Sequence, residues 1–308
     1  MNDTPGRDEG PTRPDRSLPT PDIPAIEATV RRAIDERNPD LLTVVGNGEL
    51  TIALRWEHEG VPLVVKRVPP FPSHTAADGY VELVRAHVTD LEQRGVRCVT
   101  TELHALPRND GTVVVYHCQP LLSPELLADQ ILRADAESAD HPVVAAVVDH
   151  VVRVVGDGIP LDAQIANWYW FEEQVWQLDL STPLNVDEHG DICFDSTGFQ
   201  REYPAPLRRL VYKELMKVAP GFSQVDWVLT DILTQLHRQG LERWCPAVTE
   251  AAARRGRTID PAEGKRRFEA DAKFYPTLLR MKRLQRAWMQ RTGRQYDTLL
   301  PATTSFGR

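Results

Sequence analysis

Strand-forming runs in this chain crowd into one stretch and then nearly stop. Residues 41–45, 50–56, 61–66, 98–106 and 112–118 are short and rich in strand formers. The turn-like Glu57-His58-Glu59-Gly60 joins the second to the third. One helix is predicted inside this stretch, over 76–94, where Tyr80, Val84, Val88 and Leu91 share a stripe. Another precedes it over 23–37, with Ile26, Val30, Ala33 and Ile34 at helical spacing. After Gln119-Pro120 the pattern becomes helical over 124–134, 142–155, 207–218, 225–238, 241–254 and 265–291. Only a two-strand interruption, 165–170 and 174–180, breaks that run. The chain divides into two unlike halves at a proline-marked hinge.

Composition bounds what such a chain does. Its 308 residues carry 36 Lys+Arg against 44 Asp+Glu, a net charge of −8, which argues against a general nucleic-acid binder. No apolar run approaches the ~20 residues of a membrane span, and the N-terminus lacks a signal-peptide pattern. Cys98, Cys118, Cys193 and Cys245 are scattered without a C-x-x-C pair, so a reducing, cytoplasmic setting is expected. Residues 1–24 hold six of the 24 prolines and little that is apolar, and read as a disordered tail. Charge is uneven: from Arg254 to Arg294, 13 basic residues face 4 acidic ones, a local +9 that leaves −17 on the remainder. That segment is expected either to pair with the acidic body or to meet an anionic partner. The expected divisions are therefore a tail (1–24), a strand-rich lobe (25–118), a mainly helical lobe (119–254) and a basic helical extension (255–308).

Lysine is scarce, and its placement is informative. Only six are present, and Lys66 is the sole one in the first 212 residues. It ends an apolar strand twenty residues after Gly46-Asn47-Gly48. Asp162 and Asn167 follow at Asp-x-x-x-x-Asn spacing, and Asp179 sits in the apolar run Val175-Trp176-Gln177-Leu178-Asp179-Leu180. Phosphoryl transfer needs these residue types: glycine for close backbone approach, lysine against phosphate charge, a carboxylate at the acceptor hydroxyl, and hard oxygen donors for Mg²⁺. Each piece alone has a plainer reading, as a hairpin turn, a solvated strand end or a cap. Trp168, Tyr169, Trp170 and Trp176 surround the proposed loop, as core or as the wall of an acceptor pocket.

In this order and context the residues resemble the protein-kinase-like superfamily, in particular its small-molecule branch of aminoglycoside, choline and homoserine kinases. The resemblance covers roughly residues 40–254. It implies an α+β, bilobal protein-kinase-like fold, with a small β-rich N-lobe carrying one main helix and a larger, mostly helical C-lobe. It further implies ATP and Mg²⁺ as cofactors and a small-molecule acceptor. Asp162 would be the catalytic residue, Gly46, Gly48, Lys66 and Gln119 would bind the nucleotide, and Asn167 and Asp179 would hold the metal. Three features depart from the family pattern, the first being Leu180-Ser181-Thr182 after Asp179, where the family's protein kinases have an aromatic residue and glycine. Pro160 stands where a histidine usually braces the catalytic loop. No helix carboxylate is an obvious partner for Lys66, since Glu82 points away from the Tyr80 stripe and Glu92 comes late. Those departures keep two alternatives open: a pseudoenzyme that binds nucleotide or a partner, and a scaffold repurposed for another reaction on a hydrophobic metabolite.

Overall fold

A computed structural model of the chain describes residues 12–47, 51–189, 191–201, 203, 205–293 and 297. Helix α1 (Ile23–Glu36) opens the ordered body, capped by the Asp22 carboxylate on the Ala25 N–H at 3.0 Å. Strands β1 (Thr43–Asn47), β2 (Ile52–His58) and β3 (Val61–Arg67) then form an antiparallel meander. Helix α2 (His74–Gln93) follows, capped by Ser73. β4 (Arg97–Cys98), β5 (Glu102–Pro107) and β6 (Val113–Pro120) complete this half. The five-stranded sheet runs β1-β2-β3-β6-β5 and is antiparallel throughout.

Alternation of side chains sorts this sheet into two faces. Leu54, Val65, Val114 and Tyr116 pack against Ile26, Val30 and Ile34 of α1. Val113 and Val115 pack on the other face with Ala77, Tyr80 and Val84 of α2. Strand β6 is buried along its whole length because it is covered on both sides. The 98–106 run, expected as one strand, is divided. Cys98 belongs to a second sheet, where β4 pairs parallel with a later strand, and only Glu102 onward joins the first. Gly95 at φ +73° ends α2 and redirects the chain into β4.

The remaining elements are α3 (Ala128–Ala134), α4 (Pro142–His150), β7 (Trp168–Phe171), β8 (Gln174–Gln177), α5 (Thr197–Arg201), α6 (Ala205–Val218), α7 (Val225–Arg238), α8 (Cys245–Ala253) and α9 (Pro261–Arg291). The partner of β4 is β8. Val143, Val147, Leu229, Leu233, Val248 and Ala252 lie in one apolar core that joins α4, α7 and α8. Helix α9 runs along α7 at close range: a Cβ on Gly264 would stand 2.7 Å from Leu233 Cβ. Its far end reaches back to α1, where Gln290 donates to the Ile34 carbonyl and Met289 joins the α1 core. Asp297 lies beyond it among Arg31, Arg67 and Arg108, at 2.9, 3.7 and 2.8 Å.

The protein is thus α+β, with an antiparallel sheet and helices. Residues 1–11 of the expected tail lie outside the described residues. Residues 12–22 are placed against the body, where composition predicts disorder. The Thr100 N–H donates to the Pro14 carbonyl at 2.9 Å, and Tyr169 Oη donates to the Thr12 carbonyl at 3.2 Å. Composition misses these contacts because the segment is held by scattered backbone oxygens and a few apolar side chains, Leu18 packing against the α1 core and Pro14 and Pro21 being buried, rather than by a periodic apolar run.

Candidate functional site

The β7–β8 hairpin brings the candidate residues together. Its two-residue turn, Glu172-Glu173, holds both residues at positive φ, +49° and +58°, matching the twist of the paired strands. Trp168 stands opposite Gln177, so Asn167 just before the hairpin and Leu178 just after it become neighbours. The Leu178 N–H donates to the Asn167 carbonyl at 2.8 Å. The chain from Asn167 to Asp179 is therefore one hairpin, out and back.

Lys66 arrives from the first sheet. Strand register sets Gly46, Ala53, Lys66, His117 and Leu103 in a single transverse row across all five strands. Residues in such a row share a face, the face that α2 covers. Lys66 Nζ lies 3.2 Å from Asp179 Oδ1. That oxygen also accepts from the Ser181 N–H at 3.0 Å and Ser181 Oγ at 2.6 Å. Burial alone would raise the Asp179 pKa. The Lys66 charge and the Ser181 hydrogen bonds overcome it and hold the group at about 2, so Asp179 is anionic at neutral pH. Glu82 and Glu92 are both exposed, and neither is the partner of Lys66.

What α2 sends toward this region is a phenol. Tyr80 Oη donates to the Ser181 carbonyl at 2.6 Å and lies 2.7 Å from His117 Nε2. With its single proton committed to Ser181, the phenol oxygen accepts from His117, which fixes the Nε2–H tautomer. Burial, reinforced by the Lys66 charge, lowers the His117 pKa to about 3 and keeps the imidazole neutral. Tyr80 thus ties α2, β6 and the Asp179–Ser181 turn into one unit.

Asp162 has the opposite electrostatics. Desolvation, then the negative charges of Asp231 and Asp179, raise its pKa to about 7, against weaker opposition from the Gln164 hydrogen bonds. Its carboxylate accepts from Gln164 Nε2 at 3.1 Å. In place of the imidazole that the resemblance implies, other donors brace this loop. Gln177 Nε2 donates to the Asp162 carbonyl at 3.0 Å, Trp168 Nε1 to the Ala163 carbonyl at 3.3 Å, and the Leu161 N–H to the Phe222 carbonyl at 3.2 Å. Asn167 Nδ2 reaches the same Asp162 carbonyl at 3.4 Å.

Lys66, Asp162, Asn167 and Asp179 are therefore gathered at one place. Gly46 shares the sheet row of Lys66, two strands away at the border of the described residues, and Gly48 lies outside them. Gln119 is near but already employed. Its buried amide nitrogen donates to Thr101 Oγ1 at 2.8 Å and to the Leu178 carbonyl at 2.7 Å, tying β6 to the segment that carries Asp179. Trp168, Tyr169 and Trp176 are buried core, and only Trp170 of that group is partly exposed. Asp231 on α7, Tyr80, His117, Ser181 and Gln177 belong to the site, yet none is singled out by the sequence as a functional residue. No spacing motif links them, because they come from separate elements.

The donor chemistry suits a hard cation. Asn167 and Asp179 offer amide and carboxylate oxygens, and Asp179 is ionised. Among the described residues no three His, Cys, Asp or Glu side chains gather as a metal cage. A Mg²⁺ held by one or two side chains and substrate phosphates requires none.

No curated protein matches the chain. Residues 25–288, from the first turn of α1 to near the end of α9, match DUF6206, described as a family of unknown function, and the chain belongs to that family.

Proposed function

We propose that this protein is an ATP- and Mg²⁺-dependent phosphotransferase acting on a small-molecule hydroxyl, built on a bilobal protein-kinase-like fold. The observation that carries this reading is the 3.2 Å pairing of Lys66, from the third strand of the sheet, with an ionised Asp179 at the exit of the β7–β8 hairpin. Asp162, close by with a pKa of about 7, is poised to take a proton near neutral pH. In this role Asp162 orients the acceptor hydroxyl and receives its proton as the acceptor oxygen bonds to the terminal phosphorus of ATP. The bond from that phosphorus to the bridging oxygen breaks, and ADP leaves. Lys66 and the backbone at Gly46 position the phosphates, and Asn167 and Asp179 would hold Mg²⁺. The metal supplies neutralisation of phosphate charge when bound. Pro160 at the brace position, and a phenol rather than a carboxylate from α2, favour a second reading: nucleotide binding without transfer.

Gly46→Ala offers a test. An added Cβ would meet Ala53 Cβ at 3.4 Å, an ordinary contact, so the fold itself does not require glycine there. Thermal unfolding without ligand should be unchanged in this variant. ATP with Mg²⁺ should stabilise the wild type, by about 2.7 kcal/mol at a hundredfold excess over Kd, and Gly46→Ala should weaken that affinity about tenfold. Asp162→Ala should keep nucleotide binding and abolish turnover on the true acceptor. Absence of stabilisation at millimolar ATP sinks both readings. Binding with no turnover over a broad acceptor panel selects the second.

A further inference from the structure

Helix α9, the longest described element, contributes no residue to the candidate site. Its 31 residues include nine Lys/Arg and three acidic residues, and from Ala272 to Arg291 there are six basic residues and no acid. One side is committed to the body: Gly264 abuts Leu233, and Leu279 and Lys282 are only 3% and 5% exposed. At about 100° per residue, those three positions fall within an arc of about 60°. Phe274, Met281, Leu284 and Trp288 occupy an arc of about 80° on the far side. Phe274, Leu284 and Trp288 are 50%, 70% and 53% exposed, and on one arc they form an apolar stripe rather than isolated exposed side chains. Exposed Lys273, Arg280 and Arg291 border them along one edge.

We propose that this outer face of α9 is an interfacial binding surface for an anionic lipid bilayer. The helix lies on the membrane plane rather than crossing it, since among the described residues no helix is long and apolar enough to span one. The pattern is that of a surface-lying amphipathic helix: a few large apolar side chains enter the headgroup boundary, while basic neighbours meet lipid phosphates. A second copy of the chain is a poor occupant, because it would set one acid-free basic helix against another. This inference is independent of the phosphotransferase reading.

The test is flotation of the full chain with two kinds of vesicle, phosphatidylcholine alone and phosphatidylcholine with phosphatidylglycerol. The protein should float with the anionic vesicles and stay behind with the neutral ones. Leu284→Ser and Trp288→Ser, both at exposed positions, should each reduce partitioning about tenfold while circular dichroism and thermal unfolding stay unchanged. Changing Lys273, Arg280 and Arg291 together to Gln should also reduce it and flatten its salt dependence. No binding to anionic vesicles overturns the proposal, as does binding that Leu284→Ser and Trp288→Ser leave intact. Sedimentation showing a dimer that Leu284→Ser dissociates also overturns it, in favour of a second copy.

Discussion

Asp162 and Asp179 are the same residue type in the same small region, and their surroundings drive them apart. Asp179 has three donors around one oxygen, a lysine among them, and ionises at about 2. Asp162 faces two other carboxylates and loses hydration, and it ionises at about 7. The sign of the linkage follows. Unfolded, the Asp162 carboxyl ionises near 3.8, so folding is unburdened below that pH and loses stability as pH rises from there through 7. Asp162→Asn removes the burden. It should stabilise the protein by about 2 kcal/mol at pH 8 and leave it nearly unchanged at pH 3, as denaturant midpoints at the two pH values would show. Under the phosphotransferase reading, kcat/KM of the wild type should fall below pH ~7 as Asp162 takes up a proton.

At the scale of elements, close approach is decided by single side chains. Alanine is a better helix former than glycine by about 1 kcal/mol, so Gly264→Ala would stabilise an isolated α9. Here the added methyl meets Leu233 Cβ at 2.7 Å and the Thr234 N at 3.2 Å, neither the loose end of a flexible chain. The variant should lose about 1–2 kcal/mol in urea unfolding. A gain instead would show that α9 is not held this tightly to α7. The same scale explains the site. Tyr80 from α2 braces the turn that carries Asp179, and Gln177 from β8 braces the loop that carries Asp162. Both reach backbone carbonyls.

Across the whole molecule, β3 works on two faces at once. Lys66 points to the candidate site, and Arg67, the next residue, points to the opposite side. There Glu27 of α1 accepts two Arg67 hydrogen bonds at 2.7 and 2.9 Å and one from Tyr116 at 2.6 Å. Burial would raise the Glu27 pKa, but the Arg67 and Tyr116 contacts hold it below the ordinary glutamate range. Its contribution to stability is therefore fully present above the ordinary glutamate range and lost as pH falls from there through the lowered folded-state value. Glu27→Ala leaves the buried guanidinium leaning on Asp297 and should cost about 3 kcal/mol at pH 7. The deficit should shrink in acid, as paired unfolding curves at pH 7 and pH 4 would reveal.

Much of this architecture is local and legible in order along the chain. The stripes of α1 and α2, the strand-forming runs of β2 and β3, and the hairpin spacing between Asn167 and Asp179 are all set by residues within one element or one turn. Lys66 stands out because lysine is so scarce. The partner of Lys66, the brace under Asp162, the carboxylate of Asp231 and the placement of residues 12–22 could not be read this way. Each depends on groups that are far apart in sequence, and many use backbone oxygens that every residue possesses. The chain alone determined which chemical groups were present and which faces its elements turned inward. Only the tertiary structure decided which of those groups meet, because a hydrogen bond or an ion pair depends on distances that packing of the whole sets.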